Sequence, residues 1–169
     1  MNMTHYMELL AANQPWNLLL YMALPVFLVE TIAITEFFVL LYRPRRGLLL
    51  WTNRFASVLA GLVMTGIATY LTWTVVVPLS QTGQWRGPAD MIAVGSYLLG
   101  ALPLLGACLM DLGWIGHTLD TESRLERHAA LVSIFLVLAH VAMIFGMLDP
   151  SVLAPASSMP MPITEHHHH

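Results

Sequence analysis

The sequence predicts an all-α fold, an integral membrane four-helix bundle with both termini on the outer side. Three observations carry this. Of 169 residues, 57% are hydrophobic and only 10% charged, against about 25% charged in a soluble domain; the mean hydropathy is +0.67. Four apolar stretches each reach the ~20 residues a helix needs to cross ~30 Å of hydrocarbon, where no water is present to satisfy the backbone. The cations, seven in number and every one an arginine, divide unevenly among the connecting loops. The length bounds the chain at one domain.

Residues 1–16 hold no Lys or Arg and no cleavage pattern, so they are expected to form an outer interfacial arm rather than a signal peptide. Within it, Met3 to Leu10 alternates polar and apolar groups as a short interfacial helix would. The spans are expected at about 17–42, 50–79, 89–116 and 124–148. The first ends at Arg43, Pro44, Arg45 and Arg46, and the second in the polar turn from Gln81 to Pro88. Ser123 and Glu126 have the spacing of a capping box at the start of the fourth, which stops at Asp149 and Pro150. Residues 150–169, rich in proline, read as an irregular outer tail. Its His166 to His169 read equally as an expression tag or a native end. Ala56, Ala60, Gly61, Ser96 and Gly100 would let helices approach closely, and no inverted repeat of the transporter kind is visible.

Orientation follows from the arginines. Arg43, Arg45, Arg46 and Arg54 belong to the first connection, Arg124 and Arg127 to the third, and only Arg86 to the second. The positive-inside rule therefore places the first and third connections in the cytoplasm. Tyr6, Trp16, Tyr21, Trp73 and Trp85 then form an aromatic belt at the outer interface. A formal charge of −3 excludes a basic surface for nucleic acid, and the single Cys108 excludes an internal disulfide or a Cys-x-x-Cys metal motif.

Ionisable groups at membrane depth are unfavourable, and each calls for a partner. Glu30 lies in the middle of the first span and His140 about a third of the way into the fourth from its outer end; Glu36, Arg54, Asp111, His117 and His128 belong to the inner half. A structural ion pair between Glu36 and Arg54 is expected across the first hairpin, with Asp111 joining it or capping its helix with His117, and His128 in headgroup water. An inner exit site of Asp111, His117 and His128 is the competing arrangement. Glu30 would be a buried partner or proton relay, with His140 as its second station.

Nine of the eleven methionines fall on the outer side: Met1, Met3, Met7, Met22, Met91, Met143, Met147, Met159 and Met161. His140, Met143 and Met147 share one helical face by their i, i+3, i+7 spacing, and Met22 lies at the depth of Met143. Thioethers with an imidazole select Cu(I) over hard cations. The expected function is therefore binding of copper at the outer face by His140, Met143, Met147 and Met22, with His5, Met3 and Met7 as an acquiring arm and Glu30 below. Methionine is also an adaptable filler of apolar gaps, so each taken singly reads as packing. Two alternatives stand beside copper. One is haem b, with His140 and Met22 or His5 as axial ligands. The other is a non-catalytic subunit or assembly factor of a larger membrane complex, or a homo-oligomer in the lipid bilayer. No nucleophile elbow, zinc-protease motif or phosphate loop supports catalysis.

The opening Met3-Thr-His-Tyr-Met-Glu-Leu-Leu10, then Asn13-Gln-Pro-Trp-Asn17, with Val29-Glu30-Thr31 inside the first span, resembles a family of short, uncharacterised bacterial inner-membrane proteins. The likeness covers about the first third of the chain. It implies a bacterial cytoplasmic membrane and assigns no activity.

Overall fold

The computed structural model describes residues 3–42, 47–149 and Leu153. Met1, Arg43, Arg45, Arg46, Met159, Met161 and the tail apart from Leu153, with its terminal histidines, lie outside the described residues. A short helix α1 (His5–Ala11) precedes four helices long and apolar enough to span a membrane: α2 (Trp16–Tyr42), α3 (Leu48–Thr82), α4 (Pro88–Leu112) and α5 (Thr121–Met147). Short connections make successive spans antiparallel. α2 packs on α3, α3 on α4 and α4 on α5, and a lighter contact between α5 and α2 closes the ring.

Local chemistry sets the ends. Pro88 opens α4 at a position where its missing N–H costs nothing. Gly113, at φ 82°, closes α4 in the left-handed conformation, so the helix stops short of the expected residue 116. α5 starts a turn earlier than a capping box at Ser123 would place it. Asp120 is its N-cap, and the Asp120 carboxylate accepts from the Ser123 amide at 3.1 Å. Hydrogen bonding to Ser123 holds that carboxyl below its ordinary range.

Three spans carry prolines in their interiors; in two a π turn stands just before, Leu19–Ala23 ahead of Pro25 and Thr72–Val76 ahead of Pro78, and α4 is interrupted at Gly100, ahead of Pro103. Pro25 has no N–H to offer the Tyr21 carbonyl. The Tyr97 hydroxyl of α4 donates to that carbonyl instead, at 2.6 Å, and so ties the break in α2 to its neighbour.

Val29, Ile32, Ala60, Met64, Leu104 and Ala142 form the fully buried centre. α3 approaches α4 closely at Gly61, where a Cβ would stand 2.7 Å from the Leu104 carbonyl oxygen. At the α1 end, Gly146 gives room to Tyr6 in the same way. α1 docks on the bundle. Its N-cap Thr4 donates to the Gly146 carbonyl at 2.6 Å, and Tyr6 and Leu10 are buried against the bundle.

Candidate functional site

At the end of the bundle opposite α1, each span contributes one polar side chain to a single buried cluster: Glu36 from α2, Ser57 from α3, Asp111 from α4 and His128 from α5. They are 4%, 1%, 9% and 4% exposed. By helical rise, Glu36 and His128 lie about 10 Å from the ends of their helices. The His128 Nδ1 is hydrogen-bonded to Glu36 Oε1. Its Nε2 is 3.0 Å from Asp111 Oδ2 and 2.9 Å from Ser57 Oγ. Arg124 reaches in from the helix end, 3.4 Å from Asp111 Oδ1 and 2.7 Å from the Met110 carbonyl. Beside the cluster, Asn53 donates to Thr35 Oγ1 at 2.8 Å and to the Ile32 carbonyl at 3.2 Å.

The arrangement constrains protons. A neutral imidazole has one N–H and one bare nitrogen, whereas carboxylates only accept. For both contacts with carboxylates to be hydrogen bonds, the three groups must share one proton beyond that of neutral imidazole. With that proton on His128 and with Arg124 adjacent, two positive charges balance those of Glu36 and Asp111. The carboxylates stand on opposite edges of the ring and do not converge. Among the described residues no group of three His, Cys, Asp or Glu side chains is placed to hold a metal ion.

The pairing corrects the expected one. Glu36 is bonded to His128, and Arg54 is exposed. Depth along the membrane matches Glu36 with Arg54, but the α3 side chain that reaches the cluster is Ser57, and Arg54, one turn nearer the helix end, is exposed instead of buried. His128 is likewise a buried bridge between helices instead of a headgroup-level residue, because it shares a line with Val132 and Phe135. Ser57 and Asn53 were not anticipated. Their position on the small-residue line of α3 is the signal that marks them.

The α1 end carries a second polar arrangement. Asp90, fully buried on the first turn of α4, accepts from the His5 amide at 2.7 Å and pairs with the His5 ring at 2.6 Å. Arg86 donates to the Met3 carbonyl and pairs with Glu8 at 2.5 Å. Asp90 was also not anticipated; an acidic residue just after Gly87-Pro88 is the kind of group a helix N-terminus favours. Under α1, Tyr6, Tyr21, Met22, Ser96, Tyr97 and Met143 are among the residues lining a cavity of about 50 Å³. Burial pushes the Tyr6 phenol up to about 12.

The residues expected to bind copper are brought together only in part. Met22 and Met143 line the same cavity. His140 does not join them: it is exposed on α5, with Nδ1 bonded to the Leu136 carbonyl at 2.6 Å. Met147 is also exposed. The physical reason is again phase. The core line of α5 runs through His128, Val132, Phe135, Ala142 and Gly146, and the His140, Met143, Met147 stripe lies on its flank. On the arm, His5 is held by Asp90, Met3 is exposed and Met7 packs against the core. Glu30 faces outward from α2, not toward His140 across the bundle interior. His140, expected as an axial ligand of haem, is not among the residues lining that cavity.

No curated protein and no solved structure matches the chain. The resemblance carried by its first third extends over nearly its whole length: the chain belongs to the DUF6803 family, a family of unknown function, which it matches over residues 1–162.

Proposed function

We propose that this is a multi-pass protein of the bacterial cytoplasmic membrane that takes up and releases a proton at the Glu36–His128–Asp111 cluster. The observation that carries the reading is one imidazole bonded at both nitrogens to buried carboxylates from two other helices. Chains of this composition inside membranes mark proton-handling sites. The arginine bias puts the cluster in the cytoplasmic half, and the half-exposed Arg124 beside Asp111 gives it a route to water at that end. Toward the other end, the buried side chains of Ile32, Val29, Met64 and Leu104 have no group that could relay a proton. The site is therefore loaded from one side, as a proton sensor or coupling element is, rather than through a continuous channel.

Infrared difference spectroscopy of the full chain in lipid nanodiscs, after a pH step, tests this. The expected result is a carboxyl and imidazole signal for one proton per chain, lost in His128→Asn and displaced in Glu36→Gln. A wild-type spectrum indistinguishable from that of His128→Asn across the accessible pH range would overturn it.

A second reading, binding of a soft ion such as Cu(I) at the outer face, is favoured by one observation, the shared cavity of Met22 and Met143. Two thioethers suit Cu(I), and His5, Met3 and Met7 belong to the segment over that end. Metal analysis of protein lacking residues 166–169 tests it. Stoichiometric copper that falls in Met143→Ala supports the reading, and equal retention in both proteins excludes it.

A further inference from the structure

Two ionisable side chains within the membrane-spanning helices are turned away from the bundle. Glu30 is exposed near the middle of α2, with no hydrogen bond or ion pair among the described residues. His140 is exposed on α5; its Nδ1 is bonded to the Leu136 carbonyl, and its Nε2 has no partner among the described residues. A carboxylate at this depth facing hydrocarbon is strongly disfavoured, and such groups are found paired with one another.

Glu30 and His140 lie on the same side of the molecule. Met22 and Val26 of α2 and Ala139 and Met143 of α5 line one cavity and so mark the seam between those helices. Glu30 stands one turn beyond Val26, and His140 one residue beyond Ala139, both on the outward flank of the seam. Their levels differ by roughly 7 Å. Side chains tilt toward the N-terminus of their own helix, and α2 and α5 are antiparallel. Glu30 therefore leans toward the α1 end and His140 away from it, which brings carboxylate and imidazole toward a common level.

We infer that this face binds a second copy of the same chain within the membrane, with Glu30 of each chain paired with His140 of the partner subunit. Under a two-fold axis along the membrane normal, α2 of one chain meets α5 of the other, and the reverse contact forms at the same time. The face is self-complementary, as a closed dimer requires, and it presents one acidic and one basic group in the positions that this symmetry exchanges. The interface removes two unpaired ionisable groups per chain from lipid. It does not involve the buried cluster, so neither proposal depends on the other.

Cross-linking of full-length chains in lipid vesicles tests the inference, in a Cys108→Ser background. Chains carrying Glu30→Cys and chains carrying His140→Cys are reconstituted together in the same vesicles, and each alone as a control, then treated with a mild oxidant. Disulfide-linked dimer is expected in the mixture at no less than ten times its level in either variant alone. Photobleaching counts in dilute vesicles should show dimers for the wild type, a severalfold loss for Glu30→Gln, and recovery in the swapped variant Glu30→His with His140→Glu. Recovery on swapping excludes simple misfolding as the cause of the loss. Equal cross-linking in mixed and unmixed samples, a wild type that is monomeric at every protein-to-lipid ratio, or a dimer fraction unchanged by Glu30→Gln would each overturn it.

Discussion

Replacing His128 with alanine leaves Glu36 and Asp111 buried without the ring that joins them, and Ser57 loses the same partner. Breaking a buried pair by removing one member costs about 3–5 kcal/mol, because an uncompensated charge remains in the interior. Arg124 lowers the cost for Asp111, which it contacts from the half-exposed end; among the described residues Glu36 has no second cation, so the larger part of the penalty falls there. Joint replacement by apolar groups of similar volume should behave differently. Glu36→Met, Asp111→Val and His128→Leu together remove every buried charge of the cluster, and such changes are often neutral or stabilising by about 1–4 kcal/mol. The assay is reversible unfolding in mixed lipid–detergent micelles, comparing the single and triple variants with wild type. The single variant is expected to be the least stable of the three, and the triple variant to be stable while losing the pH-dependent infrared signal. A His128→Ala penalty below about 1 kcal/mol, or a triple variant less stable than the single one, would refute the account of the cluster as mutually compensating charges.

Gly61→Val should cost at least about 1–3 kcal/mol, since the added carbons meet the Leu104 backbone, which cannot move aside. Gly66→Ala, with nothing within 4 Å of the new Cβ, should be neutral or slightly stabilising by the same unfolding assay. Tyr97→Phe removes the donor to the Tyr21 carbonyl at the Pro25 break and should cost about 1–3 kcal/mol; hydrogen exchange around residues 19–26 should rise with it. For Tyr6, burial favours the neutral phenol, so its contribution is fully present below pH 10 and is lost as pH rises through about 12. Tyr6→Phe should flatten stability against pH across that window, and an unchanged slope would show that the ring is not buried in solution.

Much of the architecture is legible in the chain because a membrane span is specified by length and composition within one segment. The stretches about 17–42, 50–79, 89–116 and 124–148 correspond to α2 through α5, with shifts at the ends where a cap decides. Gly113 closes α4 early, and Asp120 rather than Ser123 begins α5. The ionisable members of the buried cluster are legible as a group, since Glu36, Asp111 and His128 stand out in apolar surroundings. Their pairing is not. Glu36 and Arg54 agree in depth, yet His128 is the residue that meets Glu36 while Arg54 is exposed, and helical phase turns His140 and Met147 outward while Met143 reaches the cavity.

Composition and the order of polar and apolar residues alone determined that four helices cross a membrane, which connections hold the arginines, and that carboxylates and histidines occur at membrane depth. Only the packed bundle decided that His128 bridges Glu36 and Asp111, that His5 docks on Asp90, and that Glu30 and His140 share an outer face. Hydropathy and depth are sums over neighbouring residues and can be read from one segment. The meeting of two side chains depends on the rotation of each helix about its own axis and on which helix lies alongside, quantities that exist only once the segments are packed together.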